Sequence, residues 1–280
     1  MLWLDGRLRE GPVPFDLADR GLTLGDGVFD TALALNGRVA FAEAHRDRLA
    51  ASAEALGFRL DPARIEQAMR ALAEALGGGP VAIRTTATRG SGPRGLRPPP
   101  EPRPTLFASA ARTSPDLAFA PLRLHPTGIA RNETSPASRL KTLGYLDAVL
   151  AAGEAAAQGF DEALFLNTRG RVACAGTGNL FALFGDRLVT PPLSDGVLAG
   201  IVRAELLRLA PGLGLVPEER SLTLPELAGA EAVLLTNSLR LAAPVAAIGE
   251  TALASAAHPA VARLADALRR RIAEACGTAP

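Results

Sequence analysis

Lysine and arginine together number 30 in this chain, and Lys141, in the stretch SRLKTLGYL, is the sole lysine. Wherever a positive charge is enough, the sequence uses arginine. Arginine can replace lysine in salt bridges and phosphate contacts, but its guanidinium stays protonated and cannot become a nucleophilic amine. A lysine is indispensable only where it must lose its proton, above all in forming a Schiff base with an aldehyde or ketone, pyridoxal phosphate included. The bland alternative for Lys141 is a residual surface charge. The arginine bias shifts the reading toward a catalytic amine.

The other reactive residue types exclude more than they suggest. Cys174 and Cys276 are too few for a disulfide framework or an all-cysteine zinc site. His45, His125 and His258 stand singly, without the short spacings that put two imidazoles on one helix face, so no metal is expected. A formal net charge of +1 gives no electrostatic reason to expect nucleic acid. The opening MLWLDGRLRE lacks the apolar core of a signal peptide, and no run approaches the roughly 20 apolar residues that span a bilayer. The expected setting is reduced, cytoplasmic and free of membrane.

The elements that must position Lys141 alternate between strand and helix. GRVAFAEAHRDRLAASAEALGF passes from a short strand into an amphipathic helix that places Leu49 and Leu56 on one face and stops at Gly57. A second helix follows, with Asp61 as N-cap and Pro62 at its first position. PVAIRTTATRG and PTLFASAA read as strands separated by the loop GSGPRGLRPPPEPR. The prediction is an α+β domain over residues 1–112, an interdomain linker at 113–122 and a second mixed domain at 123–280. In that second domain TLGYLDAVLAAGEAAAQG predicts a helix closed by Gly159, with Lys141 at its start. EALFLN, GRVAC, NLFALF and RLVT predict strands joined by tight turns, favouring a largely antiparallel sheet. GIVRAELLRLAPG and HPAVARLADALRRRIAEACG predict two further helices, and no repeat is present.

RGLTLGDGVFDT, AHRDRL, RGSGPRG, LKTLGYLDAVLAAGEA, GRVACAGTGNLF, GVLAGIVR and TNSLRLAAPV follow one another in an order that resembles the class IV aminotransferase family. This group of fold-type IV pyridoxal phosphate enzymes includes D-amino acid, branched-chain and (R)-amine transaminases and aminodeoxychorismate lyase. The resemblance runs from about residue 18 to about residue 248. It implies a smaller N-terminal and a larger C-terminal, cofactor-binding domain, and commonly a homodimer. By position, Lys141 resembles the Schiff-base lysine and Arg48 the phosphate-binding arginine, whereas Arg46 reads as a solvated helix charge. Gly200, Ile201 and Val202 open a helix whose backbone N–H groups could hold a phosphate. Many relatives carry threonine where this chain has Val202, so only the backbone contact is expected there. Thr236, Asn237 and Ser238 resemble the remaining phosphate-side segment, or else form only a strand-to-loop turn, and Asn179 belongs to the same cofactor-binding set.

Cys174 departs from the pattern. Most of the family has a glutamate there that pairs with the protonated pyridine nitrogen, whereas a thiol of reference pKa about 8.5 is a weak donor and seldom an anion at neutral pH. Lower efficiency is expected, with cofactor binding intact. For substrate, Arg89 and Arg94 of RGSGPRG could clamp a carboxylate bidentately, and Phe29, Asp30 and Thr31 of GVFDT are expected to line the pocket as the corresponding segment does in relatives, although Phe29 reads equally well as core. Three functions follow. The first is amino-group transfer between an amino acid or primary amine and a 2-oxo acid. The second is lyase chemistry giving 4-aminobenzoate and pyruvate, and the third is a catalytically weakened cofactor-binding paralogue.

Overall fold

The computed structural model describes residues 1–280. The chain divides into two compact units: residues 1–115, 140–144 and 272–280 make the first, and residues 116–139 and 145–271 the second.

The first unit contains β1 (Leu2–Leu4), β2 (Arg7–Arg9), α1 (Arg20–Leu24), β3 (Gly27–Leu35), β4 (Arg38–Val39), α2 (Ala42–Ala55), α3 (Pro62–Leu76), β5 (Val81–Thr88) and β6 (Thr105–Arg112). Its six strands form one antiparallel sheet in the order β2-β1-β6-β5-β3-β4. Asp61 caps α3 by accepting from the backbone N–H of Ala63 at 2.9 Å, and Pro62 occupies the first turn, where a missing N–H costs nothing. Ile65, Ala68, Met69, Leu72 and Ala73 recur at helical spacing and are buried, joining Trp3, Val28, Leu49, Phe58 and Ile83 in the core. Each leucine or isoleucine so buried contributes roughly 1.5–3 kcal/mol. β3 is buried along almost its whole length, so it carries apolar residues at consecutive positions.

The second unit contains β7 (Leu122–Pro126), α4 (Leu146–Ala157), β8 (Glu162–Leu166), β9 (Val172–Ala175), β10 (Asn179–Phe184), β11 (Arg187–Thr190), α5 (Ile201–Leu209), β12 (Val216–Glu219), α6 (Leu224–Ala228), β13 (Ala232–Asn237), β14 (Leu241–Ile248), β15 (Thr251–Ala252) and most of α7 (Pro259–Cys276). Its sheet runs β12-β11-β10-β13-β14-β7-β8-β9, with β15 added beside β14. β7 lies parallel to both β14 and β8, and β11 parallel to β12, while the other pairs are antiparallel. Leu122, Leu164, Leu180, Leu235 and Val245 meet in its core.

Three details differ from the expectations. β7 is not among the strands expected for the second domain, yet it lies inside the large sheet between β14 and β8, and its first residue, Leu122, falls in the expected linker. The strand follows Pro121 and ends on Pro126, and only Leu122 and Leu124 alternate inward. Lys141 does not begin a helix: α4 starts at Leu146, and residues 140–144 belong to the first unit. Their backbone is committed to β3 instead, for Phe29 N–H donates to the Lys141 carbonyl at 2.9 Å and Leu143 N–H to the Gly27 carbonyl at 3.0 Å. The final residues, 272–280, also fall with the first unit.

Candidate functional site

The start of β3 fixes Lys141. The bridge between Val28 and Thr142 lays the lysine segment along the strand, and Lys141 Nζ stands 4.3 Å from the centroid of the buried Phe29 ring. The same ring receives the Arg84 guanidinium, whose central carbon lies 3.5 Å from the centroid. The reason is register: Phe29 pairs with Thr86, so Arg84 is its diagonal neighbour on β5. Thr31, paired with Arg84, is half-buried on the same strand. No motif pointed to Arg84, because its position opposite β3 follows only from strand pairing.

One residue beyond Phe29, Asp30 organises Arg48. Arg48 donates Nε to Asp30 Oδ2 at 2.7 Å and Nη2 to Oδ1 at 2.9 Å, a fork-on-carboxylate pair. The His45 imidazole adds Nδ1 to Oδ1 at 2.6 Å. An ionised carboxylate only accepts, so this Nδ1 carries the proton. His45 and Arg48 share a face of α2 because they are three residues apart. Burial pushes the Asp30 carboxyl up, but His45 and then Arg48 outweigh it and leave the group below the usual carboxylate range. Asp30, expected with its neighbours to line the pocket, is instead 2% exposed and committed to Arg48 and His45, a pairing that no motif announced.

The two arginines of RGSGPRG separate. Arg89, expected to clamp a substrate carboxylate, is 5% exposed and gives Nε to Asp26 at 2.8 Å, Nη2 to the Leu56 carbonyl at 2.5 Å and Nη1 to the Gly57 carbonyl at 3.3 Å. Its donors are engaged inside the unit, which corrects that expectation. Arg94 is exposed on the loop.

In the second unit, Asn179 gathers the residues around the start of α5. It pairs with Thr236 across β10 and β13, and its Nδ2 donates to the Leu198 carbonyl at 2.8 Å. Gly200 is the N-cap of α5 and offers no capping side chain, so the first N–H groups, including those of Ile201 and Val202, lack a side-chain acceptor from the cap. A Cβ on Gly200 would collide with Asn179 Oδ1, so only glycine allows this approach. Thr236 is 1% exposed, and its Oγ1 is buried without a hydrogen-bond partner. Asn237 turns elsewhere: its Oδ1 accepts from the N–H groups of Leu239 and Arg240, a turn-forming role, and its Nδ2 reaches Thr177 Oγ1 at 3.4 Å. Ser238 is half-buried in that turn.

Cys174 sits on β9 opposite Phe165 of β8. Burial pushes its thiol up, the nearby Arg131 pulls it down less strongly, and Glu162 adds to the rise. The thiol is therefore protonated at neutral pH. Arg131, not anticipated from sequence, stacks its guanidinium carbon 4.5 Å from the Phe165 centroid, and its Nε is buried without a partner. Glu162 is not available as a second carboxylate: it is buried and takes hydrogen bonds from Thr177 Oγ1 and the Ala163 N–H. No helix is long and apolar enough to cross a membrane, and no cluster of three or more His, Cys, Asp or Glu could hold a metal ion.

Comparison with known proteins places these residues in context. The family described as amino-transferase class IV matches residues 27–248. A Methanocaldococcus jannaschii protein with the provisional name branched-chain-amino-acid aminotransferase is 33% identical over 252 residues, covering 87% of this chain and 86% of that one. Among solved structures, 4-amino-4-deoxychorismate lyase from Pseudomonas aeruginosa is 32% identical with a TM-score of 0.85, covering 96% of this chain and 98% of that one. The branched-chain aminotransferase of Thermoproteus uzoniensis, solved with norvaline, is 27% identical with a TM-score of 0.87, covering 96% and 93%.

Proposed function

Because the chain belongs to the amino-transferase class IV family, we propose that it is a pyridoxal 5'-phosphate enzyme moving an amino group between an amino acid or primary amine and a 2-oxo acid. The observation that carries this reading is Lys141, the one lysine, whose segment is held along β3 by the bonds of Phe29 N–H to the Lys141 carbonyl and Leu143 N–H to the Gly27 carbonyl, with the Lys141 amine over Phe29. When bound, the cofactor supplies a carbonyl for the Schiff base and a ring that accepts the electron pair released at the substrate carbon. Lys141 provides the amine, then takes and returns the proton at Nζ. Two features fit the cofactor's phosphate: Thr236 Oγ1 lacks a partner that a phosphate oxygen would supply, and the N–H groups at Gly200, Ile201 and Val202 face the start of α5. Asn179 holds that helix start in place, and Arg48, fixed by Asp30, adds positive charge for the phosphate. Thr31 and Phe29 line the substrate end, Arg94 binds the carboxylate, and Arg84 adds a positive field that favours anionic substrates. A cytoplasmic homodimer completes the reading.

A second reading, cleavage of aminodeoxychorismate to 4-aminobenzoate and pyruvate, is favoured by RGSGPRG and by the likeness to the Pseudomonas lyase. A weakened paralogue, suggested by Cys174 and Val202, is the third. One experiment separates them. Conversion of the bound cofactor to its amine form by D-alanine, L-amino acids or an (R)-amine, followed spectroscopically, supports transfer. Release of 4-aminobenzoate supports lyase chemistry, and failure of both leaves only the weakened paralogue.

Two variants test the cofactor residues. Gly200→Ala should weaken cofactor binding in fluorescence titration by about tenfold or more, since overpacking of this kind costs roughly 1–3 kcal/mol. Adding Asn179→Ala should recover part of the loss, and wild-type affinity in Gly200→Ala would remove α5 from the phosphate site. Cys174→Glu should raise the half-reaction rate roughly ten- to a hundredfold, because a carboxylate there would support ring-nitrogen protonation. It would also meet the buried, unpaired Nε of Arg131. An unchanged rate with cofactor bound would mean that Cys174 does not face the ring.

A further inference from the structure

The loop between β5 and β6 carries Arg94, and the segment just before β3 holds it in two places. At the neck, the Asp19 carboxylate accepts from Thr88 Oγ1 at 2.7 Å and from Thr105 Oγ1 at 3.1 Å, one residue on each flanking strand. Gly90 closes this neck with φ +86°, and a Cβ there would collide with the Arg103 carbonyl. Ser91 Oγ donates to Asp16 Oδ2 at 2.5 Å. Further along the loop, Arg20 reaches across with Nη1 on the Gly95 carbonyl at 2.9 Å and Nη2 on the Leu96 carbonyl at 3.0 Å. Its Nε donates to Asp26 at 2.8 Å, the same carboxylate oxygen that receives Arg89 Nε at 2.8 Å.

This cluster has a definite electrostatic logic. Arg20 and Arg89 are 3% and 5% exposed, and two buried guanidiniums need a counter-charge between them. Asp26 supplies it. Burial raises its carboxyl, and the hydrogen bonds from Arg89 and Arg20 outweigh that and hold it low. Arg20 reaches the carboxylate and the two carbonyls from three separate nitrogens of its planar fork, whereas the three N–H donors of a lysine ammonium radiate from a single nitrogen and do not match that spread. The carbonyls that Arg20 holds belong to the two residues following Arg94, so the backbone beside this exposed arginine is fixed from within.

We infer that Arg20 and Asp26 are positioning residues for substrate recognition, holding Arg94 where it meets the carboxylate of the substrate. The inference rests on the assignment of that carboxylate to Arg94. An arginine on an unpinned loop would pay the ordering cost at each binding event, whereas here it is paid on folding. The effect belongs in KM for the carboxylate substrate, with kcat spared.

Arg20→Lys is the test, because it keeps the charge beside Asp26 and removes the fork. Loop pinning has its own readout: Arg97 and Arg103 are each followed by proline, which blocks trypsin, so Arg94–Gly95 is the exposed tryptic bond of this loop. In the cofactor-loaded protein, Arg20→Lys should be nicked at Arg94–Gly95 about tenfold faster than wild type, identified by fragment mass. KM for the 2-oxo acid should rise about tenfold, with kcat within about twofold and cofactor affinity unchanged. Arg94→Ala should give the same rise in KM. An unchanged nicking rate overturns the pinning. Faster nicking with unchanged KM, where Arg94→Ala does raise KM, overturns the positioning role alone. If Arg94→Ala leaves KM unchanged, the carboxylate assignment fails and the positioning role falls with it, whatever the nicking rate.

Discussion

Lys141→Arg is expected to reduce turnover by about ten-thousandfold or more, the scale on which removal of a covalent nucleophile is felt. Arginine retains the positive charge over Phe29, and the backbone bond from Phe29 N–H to the Lys141 carbonyl does not depend on the side chain. The variant therefore keeps the structural contributions of this position and loses only the amine that can be deprotonated. Borohydride reduction followed by peptide mass spectrometry provides a second readout, with the cofactor mass on the peptide containing Lys141 in wild type and on none in the variant. Turnover within about tenfold of wild type, or cofactor fixed elsewhere in the wild-type protein, would defeat the proposed chemistry.

Asp30→Ala carries the largest expected structural effect. It leaves His45, itself 1% exposed, and the largely buried Arg48 without their common acceptor. Breaking a buried pair in this way costs about 3–5 kcal/mol, because the remaining charge stays desolvated. Urea unfolding of the first unit should shift by that amount, and a change under about 1 kcal/mol would show that water replaces the carboxylate. The acid dependence has a definite sign. An unfolded aspartate titrates near ~3.9, and Asp30 in the fold titrates lower. Its stabilising contribution is complete above that unfolded value and is lost as pH falls through the folded one. The wild-type unit should weaken steadily below about pH 4, and Asp30→Asn should show a shallower acid limb.

Helix boundaries were legible where the signal is local. Asp61, Pro62 and the apolar spacing through Leu72 specify α3 within its own residues, and Pro259–Cys276 is equally self-contained. The same local reading misplaced Lys141. A strong helical pattern begins beside it, yet the Lys141 carbonyl and the Leu143 N–H are taken by β3, more than a hundred residues earlier. Arg89 and Arg94 look alike in RGSGPRG, and nothing in that motif says that Asp26 and the end of α2 claim the first. Arg84, Arg131 and the pairing of Asp30 with Arg48 and His45 are not legible in the sequence, for one reason. Each acquires its meaning from a partner on another strand or helix, and an isolated charged residue has no periodicity to announce it.

Residue types and their spacing alone determined the family and the chemistry proposed for it. One lysine amid arginines points to an amine that must lose its proton, and the ordered motifs point to the class IV aminotransferase family. These are properties of the covalent chain, and they survive without knowledge of any contact. Only the tertiary structure decided which charges are available to a ligand and which are consumed inside. Asp26 takes Arg20 and Arg89, Asp30 takes His45 and orients Arg48, and Arg94 is left exposed beside carbonyls that Arg20 holds. Strand register and burial make those assignments, because a buried guanidinium must find its acceptor among whatever the fold brings within hydrogen-bond reach.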